Sequence, residues 1–472
     1  MLQKGKQESH HGVVSRAVAG DLIQDLKVKF SMEQIEKEIS NDYKFNLPAI
    51  IDIIRYRGKV LVIAREEANW IVLDNENQLI FFKLLRNNTL GESLSLFDGE
   101  EQDAEWVVTQ LVARHFEEHA KKQEIIPVAQ IYLTNSCNLH CPHCYMMAGE
   151  PNGNELTTRE VKEILRAYCN NGGVDVKLTG GEISMRSDLL DIIDYGYSLG
   201  LHLELLTNGT LWSQDLVNQV ANKISVVQIS IDGYSEEENA KIRGKNNLEK
   251  ALYTVDMFAK AKVKTRIAMT AYYSPDLACK AQFYADFANS IKTQYKDYDL
   301  DVVIATGLLP GRYGNLTEKE SDDYFRIMNE VNSRYTCCHN FEDQGFISRH
   351  KSRYILNNCS YGFLSIASNG DVFMCPIVSA LKPVANIRTD SLQKIMEISN
   401  YAHSLSHTEN LHPCNTCELK YICGGDCRIR HFHPLRQSQI LNVIRPVSRL
   451  CDDSVKERFY DLMIRTNTQI FH

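Results

Sequence analysis

The chain has 472 residues with a formal net charge of -8, and 44% of its residues are hydrophobic and 24% charged. This length predicts more than one domain, and the ordinary composition excludes a disordered or fibrous protein. The negative charge excludes a global positive field for nucleic acid or anionic lipid, and no apolar run is long enough for a membrane span, so we expect a cytoplasmic protein with neither partner.

The predicted elements begin after residue 45; residues 1–45 are left unassigned, apart from a short helical stretch at Met32–Ile39. Residues 46–120 show apolar alternation and then helical periodicity, which predicts a small βββααα module similar to a winged helix. Its strands are expected at Ile50–Ile54, Val60–Ala64 and Trp70–Leu73, and its helices at Gln78–Leu85, Leu90–Phe97 and Ala104–His119.

Residues 125–312 alternate strands with helices, which predicts an α/β domain whose parallel sheet curves into a partial, TIM-like (β/α)6 barrel. The functional face of such a domain lies at the carboxyl ends of its strands. The strands are expected at Val128–Thr134, Val174–Thr179, Leu203–Thr207, Val226–Ile231, Thr265–Thr270 and Val302–Thr306. Helices between them are expected at Arg159–Cys169, Leu189–Leu199, Leu248–Ala261 and Ala281–Ser290.

Three further segments complete the predicted organisation. Residues 313–355 form a linker with a helix at Glu318–Asn332, residues 356–455 form a cysteine-rich domain, and residues 456–472 belong to a terminal helix whose pattern begins at Ser454. The chain contains 14 cysteines, and a reducing cytoplasm disfavours disulfides. The thiols therefore indicate metal ligation or redox chemistry, and their spacing defines two groups.

The first group is Cys137, Cys141 and Cys144, in a C-x3-C-x2-C spacing directly after the first barrel strand. One interpretation is a zinc site completed by His140 or His143, although zinc prefers paired C-x2-C halves. The other interpretation is a 4Fe-4S cluster held by three thiolates, which leaves one iron open to bind a substrate.

This loop resembles the C-x3-C-x-φ-C loop of the radical S-adenosylmethionine enzymes, in which φ is an aromatic residue and is His143 here. In that family S-adenosylmethionine binds the open iron through its methionine part. One electron then splits the sulfonium bond, and the resulting 5′-deoxyadenosyl radical abstracts a hydrogen atom from the substrate. The resemblance implies a partial-barrel enzyme with S-adenosylmethionine and a 4Fe-4S cluster as cofactors.

Further residues that match this family follow the strand ends. The resemblance implies that Gly180, Gly181 and Glu182 bind the methionine amino group. It also implies that Ser230 and Arg243 bind the methionine carboxylate. Each motif alone is a common turn former, but several in succession at strand ends favour a shared pocket. The remaining residues expected in the cofactor pocket are Asn208, Asp232 and Tyr145.

The second cysteine group has the more specific spacing: Cys359 and Cys375 are followed by Cys414-x2-Cys417-x5-Cys423-x3-Cys427 and then by Cys451. A zinc ribbon would use Cys414 and Cys417, but the group has more cysteines than one tetrahedral site needs. The spacing resembles the SPASM domain of peptide-modifying radical enzymes, which carries two auxiliary 4Fe-4S clusters. The resemblance implies that the first is bound by Cys359, Cys375 and Cys427, and the second by Cys414, Cys417, Cys423 and Cys451.

The first auxiliary cluster lacks a fourth ligand in this assignment. Some relatives have a cysteine where Arg353 stands here, so either Cys337 or Cys338 is the ligand, or an open iron binds a substrate thiolate. Together with the first group, the resemblance implies three 4Fe-4S clusters. Two cysteines with no expected role in a cluster, Cys169 and Cys279, fall in predicted helices and are expected to be buried apolar residues.

The amino-terminal module has three interpretations. A winged helix for DNA would concentrate Arg and Lys on one helix, whereas Ala104–His119 carries Glu and apolar residues. The module also resembles the RiPP recognition element, which binds the leader of a ribosomally made precursor peptide. A leader would add as a strand to a sheet edge, and we expect the strand with Trp70 to be that edge. A plain packing module is the third interpretation.

Together these features predict a radical S-adenosylmethionine peptide maturase with a SPASM domain. It would take a hydrogen atom from a precursor peptide and close a crosslink, by preference a thioether and otherwise a carbon-carbon (cyclophane) bond. A flavodoxin or ferredoxin would supply electrons. Two alternatives stay open: a maturase of the anaerobic sulfatase type, which oxidises Ser or Cys in a protein, and an iron-sulfur electron-transfer or scaffold protein.

Overall fold

The structure is a computed structural model. It describes residues 26–29, 36–118, 122–123, 128–309, 311–312, 314, 316–335, 354–356, 359, 361–376, 382–425, 428, 433–434 and 453–471. The fold is the predicted α/β combination, in which a small antiparallel sheet precedes a parallel sheet and a cysteine-rich region follows. Five residues with predicted roles lie outside the described residues: Cys337, Cys338, Arg353, Cys427 and Cys451.

The described chain begins with an antiparallel hairpin of β1 (Leu26–Lys29) and β2 (Glu36–Ile39). The helix predicted at Met32–Ile39 is therefore wrong over residues 36–39, and residues 32–35 lie outside the described residues. The physical reason is that pairing with β1 fixes the backbone of this short segment and outweighs its local propensity.

The amino-terminal module that follows has the predicted strands and helices, in the predicted order. Its strands form one antiparallel sheet in chain order, and one face of that sheet packs on the helices through Val62, Ile71, Phe82 and Val107. The elements are β3 (Asp52–Tyr56), β4 (Lys59–Ala64), β5 (Asn69–Leu73), α1 (Glu76–Leu85), α2 (Leu90–Leu96) and α3 (Glu101–Ala113). The short β6 (Lys122–Gln123) follows the module and pairs in parallel with a later strand at Tyr354–Ile355.

A parallel sheet forms the centre of the molecule, and its first six strands lie side by side in chain order. Their carboxyl ends therefore meet at one rim, as the prediction of a partial barrel requires. The strands are β7 (Val128–Tyr132), β8 (Asp175–Thr179), β9 (His202–Thr207), β10 (Val226–Ser230), β11 (Lys264–Met269) and β12 (Leu300–Ile304). The helices are α4 (Thr158–Asn170), α5 (Leu189–Ser198), α6 (Gln214–Val220), α7 (Glu236–Arg243), α8 (Leu248–Lys260) and α9 (Leu277–Gln294).

Elements after the barrel are mostly short. They are α10 (Glu318–Arg334), β13 (Tyr354–Ile355), β14 (Ser365–Ile366), β15 (Asp371–Phe373), β16 (Ala385–Asn386), α11 (Leu392–Leu405), β17 (Leu411–His412), α12 (Lys420–Cys423), β18 (His433–Pro434) and α13 (Asp453–Phe471). In the ranges that the structure describes, no helix is both long and apolar enough to cross a lipid bilayer.

The parallel sheet continues across the boundary that we expected near residue 356. β14 pairs in parallel with β7, with Ser365 opposite Gln130, and β15 and β16 extend the sheet in antiparallel fashion. Without β14, the first barrel strand would expose a row of unpaired backbone groups at the sheet edge. The first part of the cysteine-rich region is therefore built onto the barrel.

The second face of the amino-terminal sheet packs on α13. Leu61 and Ile63 share a buried apolar cluster with Phe459 and Met463, and this cluster also includes residues of α12. Because the other face packs on α1 and α3, both faces of this three-stranded sheet are covered. The module is thus attached to the cysteine-rich region through its sheet.

Candidate active site and cluster-binding residues

The first three cysteines lie on a loop that is closed at its base. The backbone N–H of Cys137 donates to the carbonyl of Gly149 (2.9 Å), and the N–H of Gly149 donates to the carbonyl of Asn135 (2.9 Å). All three cysteine side chains lie in one apolar cluster with Leu139 and Ile242. The closed loop therefore brings the predicted cluster ligands together at the carboxyl end of β7.

Burial shifts the pKa of two of these thiols, Cys137 and Cys141. It raises the pKa of Cys137 and raises that of Cys141 to about 11, so the protein alone keeps them protonated, and a bound cation is what would favour thiolates. Among the described residues, no three His, Cys, Asp or Glu side chains converge closely enough to hold a single metal ion. A four-iron cluster binds each thiolate at a different iron, so its ligands lie farther apart, and this donor set fits such a cluster.

The glycines at the end of β8 approach the base of the cysteine loop. The N–H of Gly181 donates to Thr134 O (2.8 Å), and that of Glu182 donates to Ser136 O (2.7 Å). Gly180 has φ +154°, and a Cβ at Gly180 or Gly181 would lie 2.5 Å from Thr134 O or 2.1 Å from Ser136 O. These contacts require glycine. Binding of the methionine amino group by this segment stays a prediction.

The carboxylate of Glu182 accepts hydrogen bonds from other residues of the protein. It is fully buried, and it accepts hydrogen bonds from Ser184 N (3.1 Å), Ser184 Oγ (2.6 Å), Thr207 Oγ1 (2.6 Å) and Asn208 N (2.7 Å). These bonds connect the end of β8 to the end of β9. The carboxylate thus positions the start of the loop that carries Asn208, while the expected contact with the cofactor stays a prediction.

Asp232 lies between two basic side chains. The Arg243 Nε donates to Asp232 Oδ2 (2.6 Å), His143 Nε2 lies 3.3 Å from the same oxygen, and the backbone N–H of Thr270 donates to Oδ1 (2.9 Å). Burial lowers the pKa of His143, so the neutral ring donates from Nε2 to the carboxylate. Its buried Nδ1 is then an acceptor, and no partner reaches it among the described residues.

Asn208 and Ser230 differ in whether their side chains already form hydrogen bonds within the protein. The Asn208 Nδ2 donates to Asn138 Oδ1 (2.9 Å) and lies 3.9 Å from Cys137 Sγ, and its Oδ1 accepts from the N–H of Thr210 (2.9 Å). Ser230 ends β10 half-buried, and in the described ranges no hydrogen-bond partner reaches its hydroxyl. Ser230 is therefore available to a ligand, whereas Asn208 holds the cysteine loop.

Arg312 is a site residue that the sequence analysis missed. It follows β12, and its Nη1 donates to the carbonyl of Cys141 (2.9 Å) while Nη2 donates to the carbonyl of Ala148. The neighbouring Gly311 packs so closely that a Cβ there would lie 2.6 Å from the carbonyl carbon of His143. Arg312 therefore fastens the cysteine loop to the last barrel strand. No motif or periodicity distinguishes this arginine from other loop arginines.

Arg312→Ala is expected to loosen the cysteine loop, because two backbone carbonyls lose a charged donor and such bonds contribute about 1.5–3 kcal/mol each. We expect less iron per chain after anaerobic reconstitution, together with faster amide exchange over residues 141–148. Arg326→Ala is the matched control, since Arg326 lies exposed on α10. Equal iron content and equal exchange in the two variants would show that Arg312 does not hold the loop.

Two tyrosines connect the cysteine loop to the first auxiliary group. Cys359 and Cys375 both pack against the barrel core. The Tyr145 hydroxyl lies 3.2 Å from that of Tyr132, which donates to the carbonyl of Pro376 (2.6 Å), the residue after Cys375. Tyr145 was expected in the cofactor pocket. In the structure its hydroxyl contacts that of Tyr132 and so connects the two cysteine groups.

The second auxiliary group is described in part. The N–H of Cys417 donates to the carbonyl of Cys414 (3.0 Å), and Cys423 ends α12. Cys417 and Cys423 border the apolar cluster between the amino-terminal sheet and α13. Cys427 and Cys451 belong to the chain outside the described residues, so the two expected ligand sets stay predictions.

Cys169 and Cys279, which are expected to bind no cluster, both lie in helices, as expected. Cys169 in α4 is half-buried and lies 3.6 Å from the carbonyl of Leu199. Cys279 in α9 is exposed, so the prediction that it is buried is wrong. The reason is that the apolar face of α9 is set by residues such as Ala281 and Tyr284, and Cys279 lies off that face.

Comparisons with known proteins agree with this architecture. Residues 131–275 match the Radical SAM superfamily, and residues 358–418 match SPASM, an iron-sulfur cluster-binding domain. The chain is 27% identical over 327 residues to the AdoMet-dependent heme synthase of Methanosarcina barkeri, which covers 64% of this chain and 90% of the relative. It is 24% identical over 375 residues to the sporulation killing factor maturation protein SkfB of Bacillus subtilis, which covers 74% and 88%.

A solved structure shares the fold. Native anSMEcpe with bound AdoMet and Kp18Cys peptide superposes with a TM-score of 0.51 at 19% identity, covering 72% of this chain and 99% of that chain. The parallel sheet, the loop of three cysteines after its first strand and the two matched domains define the class of protein. The chain is a radical S-adenosylmethionine enzyme that carries a SPASM domain, and its cofactors are S-adenosylmethionine and iron-sulfur clusters.

Proposed function

We propose that this enzyme closes a crosslink within a ribosomally made precursor peptide, by preference a thioether and otherwise a carbon-carbon (cyclophane) bond. The observation that carries the proposal is the place of the amino-terminal module, whose sheet shares an apolar cluster with the segment of Cys417 and Cys423. A peptide held by the module would lie beside the cysteine-rich region. The similarity to SkfB supports a peptide substrate, and it spans more of the chain than the similarity to the heme synthase.

In this proposal Cys137, Cys141 and Cys144 hold a 4Fe-4S cluster. The Ser230 hydroxyl and the two terminal nitrogens of Arg243 bind the methionine carboxylate, because the bond to Asp232 uses only Nε of the guanidinium. When bound, the cofactors supply the one-electron chemistry that removes a hydrogen atom from an unactivated C–H bond. The protein's own part is to hold the loop, the carboxylate and the peptide in one place.

We further propose two auxiliary 4Fe-4S clusters, which makes three clusters in all, and a flavodoxin or ferredoxin as electron donor. A thioether is preferred because an open iron of the first auxiliary cluster can bind a substrate thiolate. The alternatives for that fourth position are Cys337 and Cys338. The ligands are Cys359, Cys375 and Cys427 for the first auxiliary cluster, and Cys414, Cys417, Cys423 and Cys451 for the second.

Co-expression with short peptides encoded beside the enzyme's gene tests the proposed function. Either crosslink lowers the mass of the peptide by that of two hydrogen atoms, as measured by mass spectrometry. A thioether also removes a thiol that iodoacetamide would alkylate, whereas a carbon-carbon bond leaves it reactive. Co-expression with the Cys141→Ala variant is the control. An unchanged mass with the wild-type enzyme for every such peptide would reject the proposal.

The two alternatives give different results in the same system. Oxidation of a serine to an aldehyde removes the same two hydrogen atoms, so a hydrazide reagent is needed to separate it from a crosslink. An electron carrier would form no 5′-deoxyadenosine. Deleting the amino-terminal module does not discriminate cleanly, because its removal would expose Phe459 and Met463 on α13.

A further inference from the structure

The two faces of the parallel sheet carry different kinds of side chain. Val176, Leu205 and Ile267 belong to the apolar core that the sheet shares with the barrel helices. Successive residues of a strand point to opposite faces, so the residues between these face the inside of the partial barrel. A closed barrel fills that space with bulky branched side chains. Four inward positions here carry long polar side chains instead, and we call them the lumen layer: Lys177, Glu204, Gln228 and Arg266.

The strand register places the lumen layer just below the rim of the barrel. Lys177 lies opposite Glu204, and Gln228 lies opposite Arg266. Ser230, whose hydroxyl is available to a ligand, lies on the same face two residues beyond Gln228. Two residues of a strand span about 7 Å. A peptide whose reacting residue lies at the rim can therefore reach the lumen layer with a nearby side chain or with its chain end.

One carboxylate in the lumen layer is shared by two cations. The Nζ of Lys177 lies 3.2 Å from Glu204 Oε2, and the Nη1 of Arg266 donates to Glu204 Oε1 (2.8 Å). The other carboxylates at inward strand positions have partners of their own, which are Lys292 for Asp301 (2.9 Å) and His202 for Asp175 (3.1 Å). Within the described strands, the lumen layer therefore keeps one positive charge in excess.

Arg266 also keeps a complete pair of donors. Glu204 and the longer contact to Gln228 Oε1 (3.5 Å) both use its Nη1. In the part of the chain that the structure describes, no acceptor reaches its Nε or Nη2, and two such parallel N–H groups suit a bidentate carboxylate. The Arg266 and Lys177 side chains are 26% and 31% exposed, so a ligand can reach both. A second carboxylate balances the charge here, whereas a cationic ligand would add a third positive charge around Glu204.

We propose that a carboxylate of the precursor peptide binds the lumen layer, bidentate to Nε and Nη2 of Arg266 and beside Lys177. It belongs to the part of the peptide that is modified, as an Asp or Glu side chain or as the chain end. The inference rests on the proposed function, because it takes the precursor peptide as the ligand. Glu204 is a positioning residue that holds the two cations, and the bound carboxylate fixes which C–H bond lies at the rim.

Amide analogues of the peptide test the proposal in the full-length holoenzyme. The probe is the synthetic, fluorescently labelled precursor peptide that the co-expression experiment identifies. Its binding is measured anaerobically by fluorescence anisotropy, without reductant, so that no turnover occurs. Each Asp or Glu is replaced in turn by its amide, and the chain end is amidated in a further peptide. We expect one of these changes to weaken binding to the wild-type enzyme about tenfold or more, because hydrogen bonds between charged groups are strong.

Arg266→Gln shows whether the lumen layer is the source of that loss. The variant should bind the original peptide and the amide analogue with affinities that differ by less than about twofold, because the interacting partner is already absent. Lys177→Gln should also reduce the difference, and it decides the question if Arg266→Gln does not fold.

Lys264→Gln is the matched control for these variants. It removes a positive charge from the same face of β11, two residues nearer the amino end of the strand, and its side chain is exposed. This variant should keep the full preference for the carboxylate. Loss of the preference in Lys264→Gln as well would overturn the specific contact, because the general field of the barrel would then explain the effect.

Two further outcomes would overturn the lumen site. One is a wild-type enzyme that binds every amide analogue as tightly as the original peptide. The other is an equal loss on amide substitution in the wild-type enzyme, Arg266→Gln and Lys177→Gln, since the carboxylate would then bind elsewhere. If either occurs with a peptide whose mass the enzyme lowers, the proposed function stands and only the lumen site is wrong. If no peptide changes mass, the proposed function is wrong and this inference falls with it.

Discussion

Cys141→Ala is expected to form no 5′-deoxyadenosine from S-adenosylmethionine under reducing conditions. Cys141 is 8% exposed and lies in a loop whose other two cysteines cannot replace it as a ligand. The variant should keep its auxiliary iron, because the second cysteine group comes from residues 359–451, which are separate from this loop. Product chromatography and iron per chain measure the two effects on the same sample.

Cys279→Ala is the matched control for that experiment. Cys279 is exposed on α9 and belongs to neither cysteine group, so its loss should leave both the product and the iron content unchanged. Undiminished cleavage by Cys141→Ala would contradict the assignment of this residue as a cluster ligand. Loss of all iron from Cys141→Ala would instead show that the two cysteine groups do not assemble independently.

The elements that sequence predicted well are those whose pattern extends over several residues. The barrel strands alternate with helices of clear periodicity, and the capping box of Thr157 and Glu160 marks the start of α4 as expected. The helix predicted at Met32–Ile39 was wrong over β2 because four residues are too few for a reliable pattern, and the pairing with β1 determines the structure there. Likewise, the pairing of β14 with β7 joins segments that are far apart in the chain, and no local sequence pattern in either segment predicts it.

At the site, sequence predicted which residues lie at the strand ends but not how they share their hydrogen bonds. Glu182 and Asn208 have the expected positions, yet their polar groups are used by the protein itself. Gln110 closes a strand edge through one side-chain amide, which no spacing rule predicts. Such partner choices depend on distances of a few ångströms between elements, and a one-dimensional pattern does not contain them.

Arg243→Met is expected to destabilise the enzyme by about 3–5 kcal/mol, the cost of removing one partner from a buried ion pair. The Asp232 side chain is 1% exposed, so without Arg243 the only described groups that still stabilise its charge are the N–H of Thr270 and the Nε2–H of His143. The measurement is the midpoint of anaerobic thermal unfolding at a fixed scan rate, since large proteins of this kind unfold irreversibly.

The double variant Asp232→Asn/Arg243→Met separates the structural role of Arg243 from its proposed role in binding. A buried neutral amide costs much less than an unpaired carboxylate, so the double variant should recover most of the lost thermal stability. Its affinity for S-adenosylmethionine, measured by anaerobic calorimetry, should stay low if the terminal nitrogens of Arg243 bind the methionine carboxylate. Recovery of both quantities would show that Arg243 only compensates Asp232, and recovery of neither would contradict the buried pair as the source of the stability.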